Sequence, residues 1–530
     1  MLDVLIRNAK IVDGTGAPAR DGCVGILGGK IVLTSGTEKA AETIDAHGRC
    51  VCPGFIDAHS HGDMLLGTED ARLFKTTQGV TTEVTGQCGL SMAPIRRENL
   101  LDARHLLSVG TTYFPEDMKN WDSFGRFLQY ADRQAKTVNE KMYVGHSTLR
   151  LAVMGMANRA VTAKELDAMK GLLRDAMEAG AAGLSTGLIY TPGCYAPPEE
   201  IIELAKVIAP FNGIYASHMR NESASVVAAV KETIDVGRRA GVLVDISHHK
   251  ILGRPNWGLQ KETLRLIHKA NDEGIPAFCD QYPYTCNMTT LNACIPPWHF
   301  DRGFDALTEQ LTSPRFRAKV RAEMENIATP YDNYYINAGG WDGVFVSFAS
   351  ATPEAENKFI SQYAKETGRD PWDAYFDLLC ANHCIVGGIF SSMCEADVCE
   401  IIQDPFCIVG SDGVTRSWKE KGHPRACGTF PHVITHFVRE KGILTLEQAV
   451  RKMTGQTAEY LRIKNKGFIR QGYDADLLIF DENRLRDTAT YTHSNSLTEG
   501  IDYVYVNGRL VYHNKTFTGC CPGRVLRGHD

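Results

Sequence analysis

The sequence predicts an α/β protein in which eight β/α units close into a TIM-type barrel, flanked by a β-sandwich built from both termini. Three observations support this fold: eight short apolar runs follow one another, amphipathic helical stretches separate several of them, and both chain ends are rich in β-type sequence. Eight parallel β/α units are the number that closes such a barrel.

The eight candidate strands share an apolar start and a polar end. They are residues 54–61, 81–89, 142–150, 181–190, 213–220, 242–250, 275–284 and 406–413. A doubly wound sheet would concentrate polar groups at one switch point, whereas a TIM barrel collects them from the carboxyl ends of all its strands. The distribution of polar residues therefore favours the barrel.

The domain organisation follows from the same pattern. Residues 1–53 and 464–530 alternate polar and apolar positions between glycine turns, which predicts that the two ends pair into one β-sandwich domain. Residues 54–463 form the barrel. The long gap between the seventh and eighth strands predicts a small inserted subdomain at 286–345, followed by helices.

Composition limits the classes of function. The chain has 530 residues, 43% of them hydrophobic, and a net charge of -6, which describes a globular protein with a sizeable core. It contains no dense Lys/Arg block, so we expect a small-molecule substrate and no nucleic-acid partner. The oligomeric state stays open.

The chain start and the cysteines predict a cytoplasmic protein without a membrane partner. Asp3 and Arg7 interrupt the first apolar run, so it does not resemble a secretory signal, and no stretch reaches the roughly 18 apolar residues of a membrane span. The 16 cysteines of such a chain are expected to be mostly free thiols, with one or two serving as metal ligands or reactive groups.

Metal-type side chains occur at the ends of five candidate strands. His59 and His61 lie two residues apart on the first strand and therefore point to the same face. Four further residues end the second, fifth, sixth and eighth strands, in order Cys88, His218, His248 and Asp412. Imidazole, thiolate and carboxylate groups are zinc ligands, so these six residues predict a zinc site. His249 should point away, because neighbours on a strand face opposite sides.

Several longer motifs resemble a known family. They include PGFIDAHSH, QGVTTEVTGQCGLSMAP, GLSTGLIYTPG, YASHMRNE, ISHHK, DQYPYT and GSDG, which run through nearly the whole chain. PGFIDAHSH marks only the amidohydrolase superfamily. The cysteine of GQCG, followed by GLSTGLIY and ISHHK, is more specific and resembles the D-aminoacylase, or N-acyl-D-amino-acid deacylase, family.

The resemblance implies a division of the metal ligands. It implies one tightly bound zinc at Cys88, His218 and His248. It also implies a possible second, weaker position at His59, His61 and Asp412, with the cysteine sulfur able to bridge the two.

The resemblance also implies a reaction, the hydrolysis of an acyclic amide by metal-activated water. Asp412 would take the proton from the water and return it to the leaving amine. The chain departs from the family at Gln87, where Asn is usual, and near Met288 or Thr289, where a serine often follows the YPY motif. The second departure leaves the substrate contacts open.

Three polar residues are candidates for binding the α-carboxylate of the amino acid. Lys250, Tyr282 and Arg425 combine cationic and phenolic donors, and the resemblance implies equivalents in comparable motifs. Tyr190 and His146 are further candidates, and for both of them a structural role in core packing or hydrogen bonding is an equal alternative.

Other activities remain possible on the sequence. A cyclic amidase of the hydantoinase or dihydroorotase type often carries a metal-bridging lysine at the end of strand four, and AAGLSTGLIY contains no lysine. A D-dipeptidase of the same superfamily is a further alternative, and so is a scaffolding barrel that has lost its metal. The metal-type residues at the strand ends argue against the last of these.

The loop after strand seven indicates which amino-acid side chain the enzyme accepts. It carries no Lys or Arg between Lys269 and Arg302, so an acidic substrate side chain would have no partner there. Four residues of the loop are expected to offer an apolar surface, namely Met288, Leu291, Ile295 and Trp298. The loop therefore predicts a neutral substrate side chain, unless Arg220 supplies a charge, and the resemblance implies that the amino acid is the D-isomer.

Overall fold

The computed structural model describes residues 1–414 and 416–528, and all eight predicted barrel strands form within them. Each strand overlaps its predicted run. Barrel strands one to eight are Phe55–Asp57, Val80–Thr85, Asn139–Met142 with Val144–Gly145, Gly183–Gly187, Ile214–His218, Leu243–Ile246, Ala277–Gln281 and Cys407–Val409. They are mostly short, and every residue in them is buried.

Neighbouring barrel strands pair in parallel. Strands one to three form one ladder, and strands three to eight form the other, since strand three is interrupted at Tyr143 and contributes one part to each. Strands one and eight meet through a hydrogen bond from Ala58 N to Val409 O (3.2 Å) and a parallel bridge between Ser60 and Gly413. These contacts close the predicted barrel.

Helices follow the barrel strands, as the α/β pattern requires. Helix Ala163–Ala179 shows how the sequence sets their ends, because Thr162 and Glu165 form a capping box and Gly180 ends the helix in the left-handed conformation. The α-helices of the described residues are Ala71–Lys75, Leu100–Leu107, Phe124–Arg133, His146–Met154, Ala163–Ala179, Pro198–Ile208, Val226–Ala240, Gln260–Asp272, Phe304–Gln310, Pro314–Met324, Tyr334–Asn337, Ile360–Thr367, Pro371–Ala381, Glu395–Gln403, Arg425–His432, Leu446–Met453 and Gly455–Tyr460, and a π-helix covers Val433–Glu440. None of them combines the length and apolar composition needed to cross a bilayer.

The two chain ends form one β domain. Its sheet contains nine strands of the described chain, namely Leu2–Ile11, Arg20–Leu27, Lys30–Thr34, Ala40–Asp45, Cys50–Pro53, Leu477–Phe480, Ile501–Val506, Arg509–His513 and Thr516–Phe517. The ends join where Cys50–Pro53 pairs antiparallel with Leu477–Phe480. The later strand Val525–Leu526 pairs instead with barrel strand three, so the predicted span 464–530 is not all in this domain.

The segment between strands seven and eight carries a separate antiparallel sheet. Its three strands are Asn287–Thr290, Val344–Val346 and Gly387–Phe390, and the last of these lies in the middle. The sheet therefore continues past residue 345, the predicted boundary of the insertion. It places residues 287–297 over the carboxyl end of the barrel, where several of them line the central cavity.

Candidate active site

The six predicted metal ligands meet at the carboxyl end of the barrel. Each is the last residue of its strand or follows the strand by two to four residues, and all six side chains are buried. Cys88 lies between two histidines: its sulfur is 3.3 Å from His59 Nε2 and 3.3 Å from His248 Nε2. Asp412 Oδ1 is 3.3 Å from His61 Nε2 and 3.7 Å from His59 Nε2.

One set of four donors is compact enough to hold an ion. A donor atom from each of His59, Cys88, His248 and Asp412 lies within 4.8 Å of the others. Two imidazoles, a thiol and a carboxylate are the chemistry that zinc prefers. The structure thus brings together residues from four strands that are far apart in sequence.

Three of these residues have a backbone conformation that side chains usually avoid. Cys88, His248 and Asp412 have φ values of 54°, 35° and 46°, in the left-handed region. Such conformations cost free energy and are concentrated at functional sites. Gly86 (φ 71°) makes the turn at Cys88 possible, since a Cβ there would lie 2.2 Å from Tyr143 O.

A second set of donors includes a residue that sequence reasoning missed. His218, Glu222 and His248 each place a donor atom within 4.8 Å of the others. Glu222 Oε2 is 3.5 Å from His218 Nε2, and neither His218 ring nitrogen has a hydrogen-bond partner among the described residues. Buried polar atoms without partners are rare, so His218 fits a metal ligand. The only signal for Glu222 was its position four residues after His218 in YASHMRNE.

Neighbouring groups orient the histidines. His59 Nδ1 lies 3.1 Å from Asp280 Oδ2, and His248 Nδ1 lies 3.1 Å from Glu222 Oε1, which turns the Nε2 atom of each ring toward Cys88. His249 points away, as expected: its Nε2 lies 2.8 Å from Thr263 Oγ1 on the following helix.

Burial and charge set the protonation states. Burial lowers the pKa of His59 to about 4 and the pKa of His248 well below its usual range, so both rings are neutral and can offer a lone pair. Burial raises the pKa of the Cys88 thiol, so a nearby cation is needed to hold it as thiolate. Burial opposes ionisation of Asp412, but the Arg425 guanidinium and the three neighbouring histidines together outweigh burial and hold the pKa of Asp412 well below its usual range.

The predicted substrate-binding residues lie around the same cavity, which has a volume of about 230 Å³. Lys250 Nζ lies 2.6 Å from His248 Nδ1 and donates to Glu222 Oε1 at 2.5 Å. Arg425 lies over the Tyr282 ring at 4.6 Å from its centroid. The Tyr190 hydroxyl donates to Thr289 Oγ1 at 3.0 Å, at the cavity wall.

The loop after strand seven contributes less apolar surface than expected. Met288 and Ile295 line the cavity. Trp298 does not, because its indole Nε1 donates to Glu323 Oε2 (3.2 Å) and its ring packs on Tyr331. Leu291 is buried inside the insertion instead, where it lies close to Gly388.

Arg220 lies at the cavity wall but is already engaged. Its guanidinium donates to Glu232 at 2.9 Å, to Cys194 O at 3.1 Å and to Ala196 O at 3.0 Å. Arg220 can therefore bind an acidic substrate side chain only if it gives up several of these partners.

His146 has a structural partner. It is buried, and its Nε2 lies 2.8 Å from Glu200 Oε1 on helix Pro198–Ile208, while Arg150 donates to the other oxygen of Glu200. This arrangement matches the structural alternative for His146, a buried hydrogen bond, and not substrate binding.

Comparisons with known proteins identify related chains. The model of the amidohydrolase family matches residues 42–241 and 400–512. The chain is 37% identical to the D-aminoacylase of Alcaligenes xylosoxydans xylosoxydans, over 99% of this chain and 97% of that protein. It is 35% identical to the N-acyl-D-aspartate deacylase of the same organism, over 100% of this chain and 95% of the relative.

A solved structure gives the same result. The N-acyl-D-glutamate deacylase of Bordetella bronchiseptica, crystallised with zinc and a phosphonate inhibitor that mimics the tetrahedral intermediate, superposes with a TM-score of 0.84. The two chains are 34% identical, and the match covers 99% of each.

Proposed function

The chain belongs to the amidohydrolase family, and we propose that it hydrolyses the acyclic amide bond of N-acyl-D-amino acids to a carboxylate and a free D-amino acid. One observation carries the proposal: buried zinc-type donors from separate strands meet beside Asp412, within a cavity that also presents Lys250 and Arg425. Similarity to deacylases of N-acyl-D-amino acids supports the same reaction.

Zinc is the metal that the donors fit best. We assign a tight position to Cys88, His218 and His248, and a weaker second position to His59, His61 and Asp412. The His218 nitrogens, which have no hydrogen-bond partner among the described residues, and the soft Cys88 sulfur support this assignment. The compact donor sets divide differently, because Cys88 lies with His59, His248 and Asp412, whereas His218 lies with Glu222 and His248. Bound zinc supplies a Lewis acid that activates water and polarises the amide carbonyl.

Asp412 is assigned the proton transfers. Its carboxylate is held ionised by Arg425, so it can accept a proton from the attacking water. It then delivers that proton to the leaving nitrogen, which departs as a neutral amine. The position of Asp412, between His61 and Arg425, places the carboxylate beside both the metal donors and the substrate-binding cation.

Lys250, Arg425 and Tyr282 are assigned to the α-carboxylate of the substrate. Arg425 can bind a carboxylate through two parallel N–H donors, and the Tyr282 ring supports its guanidinium. Both cations already have acidic partners, Glu222 for Lys250 and Asp412 for Arg425. Tyr190 is assigned to the wall against which the substrate packs.

The substrate side chain is proposed to be neutral. Among the described residues that line the cavity, the cations are Lys250, Arg220 and Arg425. Each already forms an ion pair, with Glu222, Glu232 and Asp412 respectively. An acidic side chain would be left unpaired in a partly dry cavity, which is costly. Met288 and Ile295 instead offer apolar contacts.

The cyclic-amidase alternative is less well supported. Strand four, Gly183–Gly187, contains no lysine that could become carbamylated and bridge two metals. A linear amide is therefore the better match for this arrangement of ligands.

Turnover of a panel of N-acetylated D- and L-amino acids by zinc-loaded protein tests the proposal. We expect release of acetate from the D-isomers, with little from the L-isomers. Hydrolysis of hydantoins or dihydropyrimidines in the absence of turnover of any N-acyl-D-amino acid would overturn it.

A further inference from the structure

The candidate metal ligands lie on both sides of the place where the barrel closes. His59 and His61 follow strand one, and Asp412 follows strand eight. The two strands belong to separate ladders, and each is only three residues long. The histidines and the aspartate are therefore joined by isolated backbone contacts, such as Asp412 N to His59 O (2.8 Å), and not by a regular run of paired strands.

A buried carboxylate connects the two sides. Asp57 Oδ1 accepts the backbone N–H of His59 (3.2 Å) and of Ser411 (2.8 Å), the residue before Asp412. Its other oxygen accepts the Ser411 hydroxyl at 2.6 Å. One side chain thus holds both strand ends.

Lys75 completes this connection from a third element, helix Ala71–Lys75. It is 2% exposed, and its Nζ donates to Asp57 Oδ2 (2.6 Å) and to Ser411 Oγ (3.1 Å). It also lies 3.8 Å from Glu83 Oε2, the carboxylate oxygen that accepts the Ser60 hydroxyl at 2.6 Å. Ser60 lies between His59 and His61 in the chain. Lys75 therefore also contacts the segment that carries these two histidines, through Glu83 and Ser60.

We propose that Lys75 is a positioning residue for the metal site, acting through Asp57, Ser411 and Glu83. The inference rests on the proposed metal site but not on the identity of the substrate. Its basis is geometric: the Lys75 ammonium contacts Asp57 and Ser411 and lies 3.8 Å from Glu83 Oε2, so one side chain joins the groups that hold the two loops. Without the ammonium, Asp57 and Glu83 would rearrange, and the histidines would lose their fixed distance from Asp412.

Zinc affinity of the metal-free protein, measured by competition with a chromogenic chelator, tests the proposal. We expect Lys75→Met to weaken zinc binding by about 10- to 100-fold, the usual effect of losing a residue that orients metal ligands. The absorption spectrum of the Co²⁺-loaded protein should also change, because it reports the arrangement of the ligands. Lys75→Arg should restore part of the affinity, since it keeps the charge.

Lys452→Met is the matched control. Lys452 is also buried and lies near strand eight, but its Nζ donates to Asp404 O (2.6 Å) and Cys407 O (2.8 Å), at the opposite end from the metal site. Its removal should lower the melting temperature and leave zinc affinity and the Co²⁺ spectrum unchanged. A purely structural role for Lys75 would make the two variants alike.

Ser411→Ala is a milder variant that removes one hydroxyl and keeps the Lys75–Asp57 pair. It should weaken zinc binding less than Lys75→Met, and it carries the test if Lys75→Met does not fold. The proposal is overturned if folded Lys75→Met, or Ser411→Ala in its place, binds zinc as the wild type does, or if Lys452→Met loses as much affinity. A wild-type protein that binds no zinc would instead overturn the proposed function.

Discussion

Asp412 and Arg425 form a buried ion pair in which Asp412 Oδ2 lies 2.9 Å from a terminal nitrogen of Arg425. The residue assigned to proton transfer is thus held by the residue assigned to the substrate carboxylate. A substrate whose α-carboxylate engages Arg425 competes with Asp412 for it. Binding of the substrate carboxylate to Arg425 would therefore free Asp412 to act as the base.

The ion pair predicts that substrates without an α-carboxylate lose turnover as well as affinity. With an N-acetyl-D-amino-acid amide, Arg425 keeps Asp412 as its partner, so kcat as well as KM should suffer. A charge-assisted hydrogen bond contributes about 1.5–3 kcal/mol, so kcat/KM should fall by roughly 10- to 100-fold or more. Steady-state kinetics on paired carboxylate and carboxamide substrates measure the effect.

The Arg425→Gln variant tests whether Arg425 causes the preference for a carboxylate substrate over the corresponding carboxamide. The variant should turn over the carboxylate substrate poorly and discriminate little between it and the carboxamide. A variant that still prefers the carboxylate by the wild-type ratio would show that Lys250 and Tyr282 bind it without help.

Asp412→Asn should keep the fold and lose most turnover. The carboxamide is nearly isosteric but cannot accept a proton, and general acid–base assistance is typically worth 10²–10⁴-fold. Measurement of kcat at saturating zinc separates this loss from weaker metal binding. A loss below about tenfold would contradict the proton-transfer role.

Asp404→Asn is a control for that experiment. Asp404 lies near the other end of strand eight, where its carboxylate contacts His268 at 2.7 Å. Its replacement should leave kcat close to the wild-type value, while thermal stability falls slightly.

Cys88→Ala should lose zinc. Cys88 is the donor that lies between His59 and His248, so its removal leaves both imidazoles without their sulfur neighbour. Elemental analysis after dialysis should show clearly less zinc than the wild type, and turnover should fall with it. Cys279→Ala, at an equally buried position on strand seven, is the control and should keep its zinc. Undiminished zinc in Cys88→Ala would refute the assignment.

Neutral side chains should be preferred over acidic ones. We expect kcat/KM for N-acetyl-D-Leu and N-acetyl-D-Met to exceed that for the D-Asp and D-Glu derivatives, because Arg220 is occupied by Glu232 and two backbone carbonyls. The same four substrates, assayed at one pH and zinc concentration, decide the matter. If the acidic derivatives are better, Arg220 must leave Glu232, and Arg220→Met should then remove the preference.

Much of the fold could be predicted because its signals are local. Each barrel strand is a short apolar run ended by polar residues, and the helices between them have their own periodicity and caps, as at Thr162 and Glu165. The barrel rule then places the strand ends together, so residues as distant as His59 and Asp412 could be assigned to one site before their contact was known. The expectation that His249 points away from the site is also confirmed, although His248 and His249 both lie just past the end of strand six.

The sequence by itself determined which residue types stand at the strand ends, because strand periodicity and polarity depend on near neighbours. Only the tertiary structure decided their partners. Glu222 joins His218 and Lys250, Glu232 engages Arg220, and Trp298 turns to Glu323, in each case because the chain folds back to bring the groups together. The same is true of the insertion, whose central strand lies beyond residue 345, and of Val525–Leu526, which pairs with the barrel. Pairings of this kind depend on the whole packed chain, and no local pattern encodes them.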